Sequence, residues 1–167
     1  HMRFRGLHGI YACSNPDCPD GTHAGGLHLG RVFLNDEHTV CPTCGSAVYE
    51  LQCDRRCGAL FYHGYIMEDA LHGADSMTFL WNDPGAKLGK QVREIAIYSP
   101  PDGYEGAPDR KESPIRACYL DTASGFLHFG NDTWEGRPGV RTLYYCVHKQ
   151  KGKPDTYLFP SCPHCGH

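Results

Sequence analysis

The sequence predicts a mainly β protein, and three observations carry the prediction. Apolar residues fall in short alternating segments rather than long helical ones. Glycine and proline together supply 32 of 167 residues, about 19% against ~12% in an average chain, so tight turns are frequent. Ten cysteines stand mostly in close pairs, and the 22 residues between the first two pairs hold one hairpin, the layout of a zinc ribbon.

The strand candidates follow in chain order. Segment 26–34 alternates, with Leu27, Leu29 and Phe33 on one face. Segments 47–52, 59–66, 77–81, 92–98, 114–120, 125–129, 141–148 and 156–159 are short and rich in aromatic or β-branched residues. Thr122-Ala-Ser-Gly125 reads as a hairpin turn between two of them. Helix is expected only as a turn or two at 67–72 and 86–93. The stretches 99–113 and 130–139 are rich in glycine, proline and charge and read as loops.

Eight cysteines form four pairs: Cys13 with Cys18, Cys41 with Cys44, Cys53 with Cys57, and Cys162 with Cys165. Zinc takes four ligands in a tetrahedron, and spacings of two to four residues present two thiolates from one turn. Gly45, Gly58 and Gly166 directly follow three of the pairs. Glycine there permits the left-handed turn that aims backbone N–H groups at sulfur. Pro42 and Pro163 preset the first bend of their turns. Four pairs imply two structural Zn2+ ions per chain. Cys13, Cys18, Cys41 and Cys44 would form a local ribbon site. Cys53 and Cys57 would meet Cys162 and Cys165, with Cys41/Cys44 joined to Cys53/Cys57 as a crossed alternative. The expected architecture is therefore a zinc-ribbon-like lobe at 3–50 and a small antiparallel β-rich unit at 51–167, closed by the second knuckle pair. Each metal would add about 10–16 kcal/mol of apparent binding energy to folding.

Other readings of the cysteines are weaker. Disulfides suit secreted chains, and no signal peptide opens this one. Cys162-Pro-His-Cys165 spells a redox motif, but that chemistry needs a helix starting at the first thiol. Cys118 and Cys146 stand alone in alternating segments and read as buried thiols; a third metal at Cys146 and His148 would need more ligands. His164 and His167 read as solvent-facing. His23, His28, His38, His63, His72 and His128 show no metal-binding spacing.

Sixteen basic against nineteen acidic residues give a formal charge of −3. That excludes a strongly basic nucleic-acid domain while leaving room for local patches. No apolar run approaches the roughly 18 residues of a membrane helix, so a cytoplasmic location and no membrane partner are expected. Phosphate-loop, metalloprotease, esterase and deaminase motifs are absent, and an all-cysteine zinc leaves no open coordination position. The chain reads as non-catalytic. His1-Met2 reads as a cloning scar, and the chain as a piece of a larger protein.

The order of motifs is familiar. Leu7-His-Gly-Ile-Tyr-Ala-Cys-Ser-Asn-Pro-Asp-Cys18 precedes Gly30-Arg-Val and Cys41-Pro-Thr-Cys-Gly45. Val48-Tyr-Glu-Leu-Gln-Cys53, Cys57-Gly58 and Gly64-Tyr65 follow, and Phe159-Pro-Ser-Cys-Pro-His-Cys-Gly166 closes the series. This resembles the cysteine-rich insertion of large bacterial DEAD/DEAH-box helicases of superfamily 2, some of which serve DNA repair or phage defence of the DISARM type. The resemblance covers the first 66 and last nine residues; the Cys53–Cys57 spacing is three where the pattern has two. It implies a zinc-binding accessory domain of an ATP-driven translocase on DNA or RNA, with ATP and Mg2+ bound only by the parent's motor domains. Candidate nucleic-acid contacts are Arg55, Arg56, Arg110, Lys111, Lys149, Lys151 and Lys153, with Tyr62 and Tyr65 as base-stacking candidates. The competing expectations are a docking module for the motor domains or another protein subunit, and a free-standing zinc-ribbon nucleic-acid-binding factor.

Overall fold

A computed structural model describes residues 9–21, 28–67, 76–83, 85, 92–104, 115–130, 132–148 and 151–166. The described chain is mainly β. Its nine strands are β1 (Ile10–Cys13), β2 (Val32–Leu34), β3 (Val48–Cys53), β4 (Leu60–Met67), β5 (Ser76–Phe79), β6 (Val92–Ser99), β7 (Ile115–Asp121), β8 (Phe126–Phe129) and β9 (Val140–Cys146). They pair antiparallel in one sheet of order β2-β1-β3-β4-β6-β9-β7-β8-β5.

Most strands lie where alternation places them, but three segments differ. β1 lies outside the segments expected to be strands. Its burial comes from pairing β2 on one side and β3 on the other. Of segment 26–34, the described residues 28–34 keep only Val32–Leu34 as a strand. Ahead of it Gly30 is pressed against β1, its amide donating to the Cys13 carbonyl at 3.0 Å. A Cβ at Gly30 would stand 2.5 Å from the Cys13 Cβ, so only glycine fits. Segment 156–159 makes bridges instead of a strand: Thr156 faces His148, and Tyr157 runs parallel to Ile95. Of the expected helical turns, Met67 ends β4 and residues 92–93 open β6; 68–72 and 86–91 lie outside the described residues.

The sheet curls until its far end returns to its middle. Just past β5, Trp81 exchanges backbone hydrogen bonds with Tyr65 of β4 at 2.8 and 2.9 Å. β4, β6, β9, β7, β8 and β5 thus form a barrel-like ring. Tyr62, Ile66, Leu80, Ile95, Ile97, Leu120, Leu127 and Leu143 of its core are at most 1% exposed. A second cluster packs Phe61, Ala96, Tyr98 and Cys146 beneath the C-terminal Phe159 and Cys162. A third gathers Cys13, Cys18, Phe33, Cys41 and Val48 beside the ring. β3 runs through the 50/51 boundary and pairs with both β1 and β4.

Candidate metal centres

The first cluster joins two turns. Cys13 ends β1, and the chain then turns so that the Cys18 amide donates to the Asn15 carbonyl at 3.2 Å. Opposite, Gly45 donates to the Cys41 carbonyl at 2.8 Å with a φ of 78°, a value that favours glycine. The Thr43 hydroxyl donates to Asp20 at 2.7 Å and accepts from Arg31 at 3.1 Å, strapping the turns together. The sulfurs of Cys13, Cys18, Cys41 and Cys44 all lie within 4.8 Å of one another. Cys13 and Cys44 are 3.4 Å apart, and Cys18 and Cys41 4.0 Å. Tetrahedral zinc with ~2.3 Å Zn–S bonds sets its sulfurs ~3.8 Å apart, and the two distances bracket that value.

The charge state of these thiols fits a cation. Burial pushes the Cys13 thiol far up. At Cys44 burial acts the same way, but hydrogen bonds from Ser46 and the neighbouring thiols outweigh it and bring it down to about 6. Three buried thiols and a half-buried one this close cannot all ionise unaided; a divalent ion would supply the missing positive charge and displace the protons.

The second cluster has a composition that the pairing of cysteines did not anticipate. Its four groups are Asp54, Cys57, Cys162 and Cys165, again within 4.8 Å of one another. Cys53, expected as a ligand, is not among them; its thiol donates to the Asp54 carbonyl at 3.5 Å. Local geometry explains the substitution. Gly58 donates to the Asp54 carbonyl at 2.8 Å, as Gly45 does to Cys41 and Gly166 to Cys162 at 2.9 Å. Asp54 therefore occupies the first position of a two-residue-spaced knuckle, and Cys53 is the last residue of β3. Counting three back from each cysteine that precedes a glycine gives Cys41, Cys162 and Asp54. The glycine spacing thus marks Asp54 in the sequence as well.

Asp54 is 2% exposed. Burial works to raise its carboxyl, but hydrogen bonds from the Arg56 amide, Cys162 and the Arg56 side chain prevail and hold it below the ordinary carboxylate value. The Arg56 amide donates to Asp54 Oδ1 at 2.9 Å, and Cys165 approaches Oδ2 at 3.9 Å. Cys57 and Cys162 are 3.5 Å apart. The crossed arrangement of Cys41/Cys44 with Cys53/Cys57 is not formed.

The remaining candidates are dispersed. Arg55 and Arg56 sit exposed at the tip of the knuckle turn, Arg56 with its Nε 3.5 Å from Asp54. Lys151 and Lys153 are exposed in the turn before Thr156. Arg110, Lys111 and Lys149 lie outside the described residues, as does His167. Tyr62 cannot stack on a base: it is fully buried, donating to the Cys13 carbonyl and accepting from Arg141. Tyr65 is half-buried with its ring against His63. Cys118 and Cys146 are buried and join no metal-type cluster among the described residues. His164 is exposed, its ring 3.3 Å from the Tyr98 hydroxyl. No described helix is long and apolar enough to cross a membrane.

A curled antiparallel sheet carrying two knuckle-built, cysteine-rich clusters defines a class: β domains equipped to hold two metal ions. The chain belongs to the YjiV N-terminal domain family, whose model matches residues 32–167. Across 174 residues, covering 99% of the chain, it is 38% identical to the Druantia protein DruE of Escherichia coli (strain UMEA 4076-1). The chain spans 8% of that protein's length. No solved structure matches it.

Proposed function

We propose that this chain is a non-catalytic zinc-binding accessory domain of a large bacterial ATP-dependent helicase acting in cytoplasmic phage defence. The observation that carries the reading is the pair of preorganised clusters. Each offers four buried or half-buried protein ligands, leaving no coordination position for water or substrate, as in structural zinc sites. Kinship with the Druantia protein DruE supports the place in phage defence. ATP and Mg2+ would be bound by motor domains elsewhere in the parent. The domain would contact DNA or RNA through the exposed Arg55, Arg56, Lys151 and Lys153, joined by Arg110, Lys111 and Lys149, or would orient the motor domains.

Docking to protein is the second reading, and the sheet edges favour it. Leu34 on edge strand β2 is 69% exposed and Met77 on edge strand β5 58%. The net charge of −3 points the same way.

Metal analysis and a salt titration test these readings together. The purified chain should carry two zinc ions and show no ATPase activity. Two or three phosphate contacts would give a log–log salt slope of about −1.4 to −2.7 on DNA. Charge reversal at Lys149, Lys151 and Lys153, or at Arg55 and Arg56, should flatten it. A slope unchanged in both variants would transfer the function to protein docking. Absence of zinc would sink the proposal.

A further inference from the structure

The second centre differs from the first in its donor atoms, and the difference is built by the backbone. Three turns share one hydrogen-bond frame, in which a glycine of φ 76–78° donates to the carbonyl of the residue four before it. In two of these turns that residue is cysteine, Cys41 or Cys162. In the third it is Asp54. The side-chain bonds repeat the correspondence: the His164 amide reaches Cys162 Sγ at 3.4 Å, and the Arg56 amide reaches Asp54 Oδ1 at 2.9 Å, each from two residues further on. Oδ1 is thus held by the turn, and Oδ2 is the oxygen that faces Cys165. Cys53 is the last residue of β3, paired with Leu60 of β4; were it the ligand, the buried carboxylate of Asp54 would lose its place beside the ion. Burying that charge without a cation is costly.

We propose that the second centre binds zinc through Asp54, Cys57, Cys162 and Cys165, one oxygen and three sulfurs, and that Cys53 is not a ligand. The inference rests on the zinc-binding reading above and specifies its second site. Zinc accepts carboxylate oxygen at ~2.0–2.2 Å beside thiolate at ~2.3 Å, so the tetrahedron closes with both donor types. The formal charge of the centre is the same as that of an all-thiolate one, since a carboxylate and a thiolate each bring one negative charge.

Zinc content and X-ray absorption at the zinc edge decide the matter on the full chain. The wild type should hold two zinc ions with an average of about 3.5 sulfur and about 0.5 oxygen ligands each. Cys53→Ser should keep both ions and the same spectrum. Asp54→Ala should weaken one site by more than the roughly 10–100-fold typical of losing an outer hydrogen-bond partner. Asp54→Cys should keep two ions and shift the average to all sulfur, a readout that survives if the alanine variant fails to fold. An all-sulfur wild-type spectrum, or loss of a zinc from Cys53→Ser, overturns the assignment while leaving the two-zinc reading intact. A wild-type chain with fewer than two zinc ions would overturn both.

Discussion

Arg141 of β9 joins four distant parts of the chain through one guanidinium. Its Nη1 donates to the Ser14 carbonyl and the Tyr62 hydroxyl, both at 3.0 Å. Its Nη2 donates to the His28 carbonyl and the Ser99 hydroxyl, both at 2.9 Å. These bonds pin the turn after Cys13 to the ring. Arg141→Met strands several partly buried acceptors, and urea unfolding should show a loss of about 2–4 kcal/mol. Arg141→Lys should recover only part of it, because an ammonium cannot reproduce the planar fork. His128 gives a second test at this scale. It is 6% exposed and stacked on Trp134 at 3.6 Å. Burial, first of all, lowers its pKa; Asp121 opposes and Arg137 assists. The unfolded chain therefore takes up this proton at higher pH than the folded one. The associated stability is complete above the ordinary histidine value of ~6.5 and is lost as pH falls through it toward the folded value. In excess zinc, His128→Phe should show a smaller decline in urea midpoint between neutral and mildly acid pH than the wild type does.

At the scale of elements, closure of the ring depends on how near the chain after β5 can come to β4. A Cβ at Gly64 would stand 2.8 Å from the Trp81 carbonyl oxygen and 2.8 Å from Leu80 Cδ1. The carbonyl is fixed by its bond to the Tyr65 amide and cannot give way. Gly64→Ala should cost about 1–3 kcal/mol by overpacking, and hydrogen exchange should report the loss first at the Tyr65 and Trp81 amides. The knuckles are the other elements whose local form decides more than local stability. Cys41→Ser should release the first metal and Cys162→Ser the second, each detected by loss of one zinc per chain on dialysis, because three ligands retain little of the binding energy that folding draws on. Cys118→Ala, at a fully buried site outside both clusters, should keep both zinc ions and cost only about 1–2 kcal/mol.

For the whole molecule the sheet is the decisive feature. Nine strands form one continuous ladder, and the first cluster is tied to the ring at three further points. Ala47 donates to the Thr122 carbonyl at 2.8 Å, Tyr62 donates to the Cys13 carbonyl, and Arg141 donates to the Ser14 carbonyl. Lobes so joined share their stability, so calorimetry of the zinc-loaded chain should show a single unfolding transition. Two resolved transitions would mean that the sequence-based division at 50/51 also separates two folding units. Removing residues 160–167 takes away Cys162 and Cys165 and should lower zinc content to one per chain.

The mainly β class, most strand positions and seven members of the two clusters were legible in the sequence, because each is a local property. Alternation of side chains reports a pleated, half-buried strand, and a cysteine pair before glycine reports a turn that aims two sulfurs one way. Asp54 was legible by the same rule once glycine rather than cysteine set the count. Tertiary structure alone decided the rest. Tyr62 reads as a candidate for stacking on bases, yet the ring encloses it. Arg141 looks like any strand arginine until Ser14, His28 and Ser99 converge on it from distant parts of the chain. Gly64 reveals its role only where β4 meets Trp81. These outcomes depend on which strands become neighbours when the sheet curls, and pairing between residues far apart in sequence leaves no periodic trace in either segment.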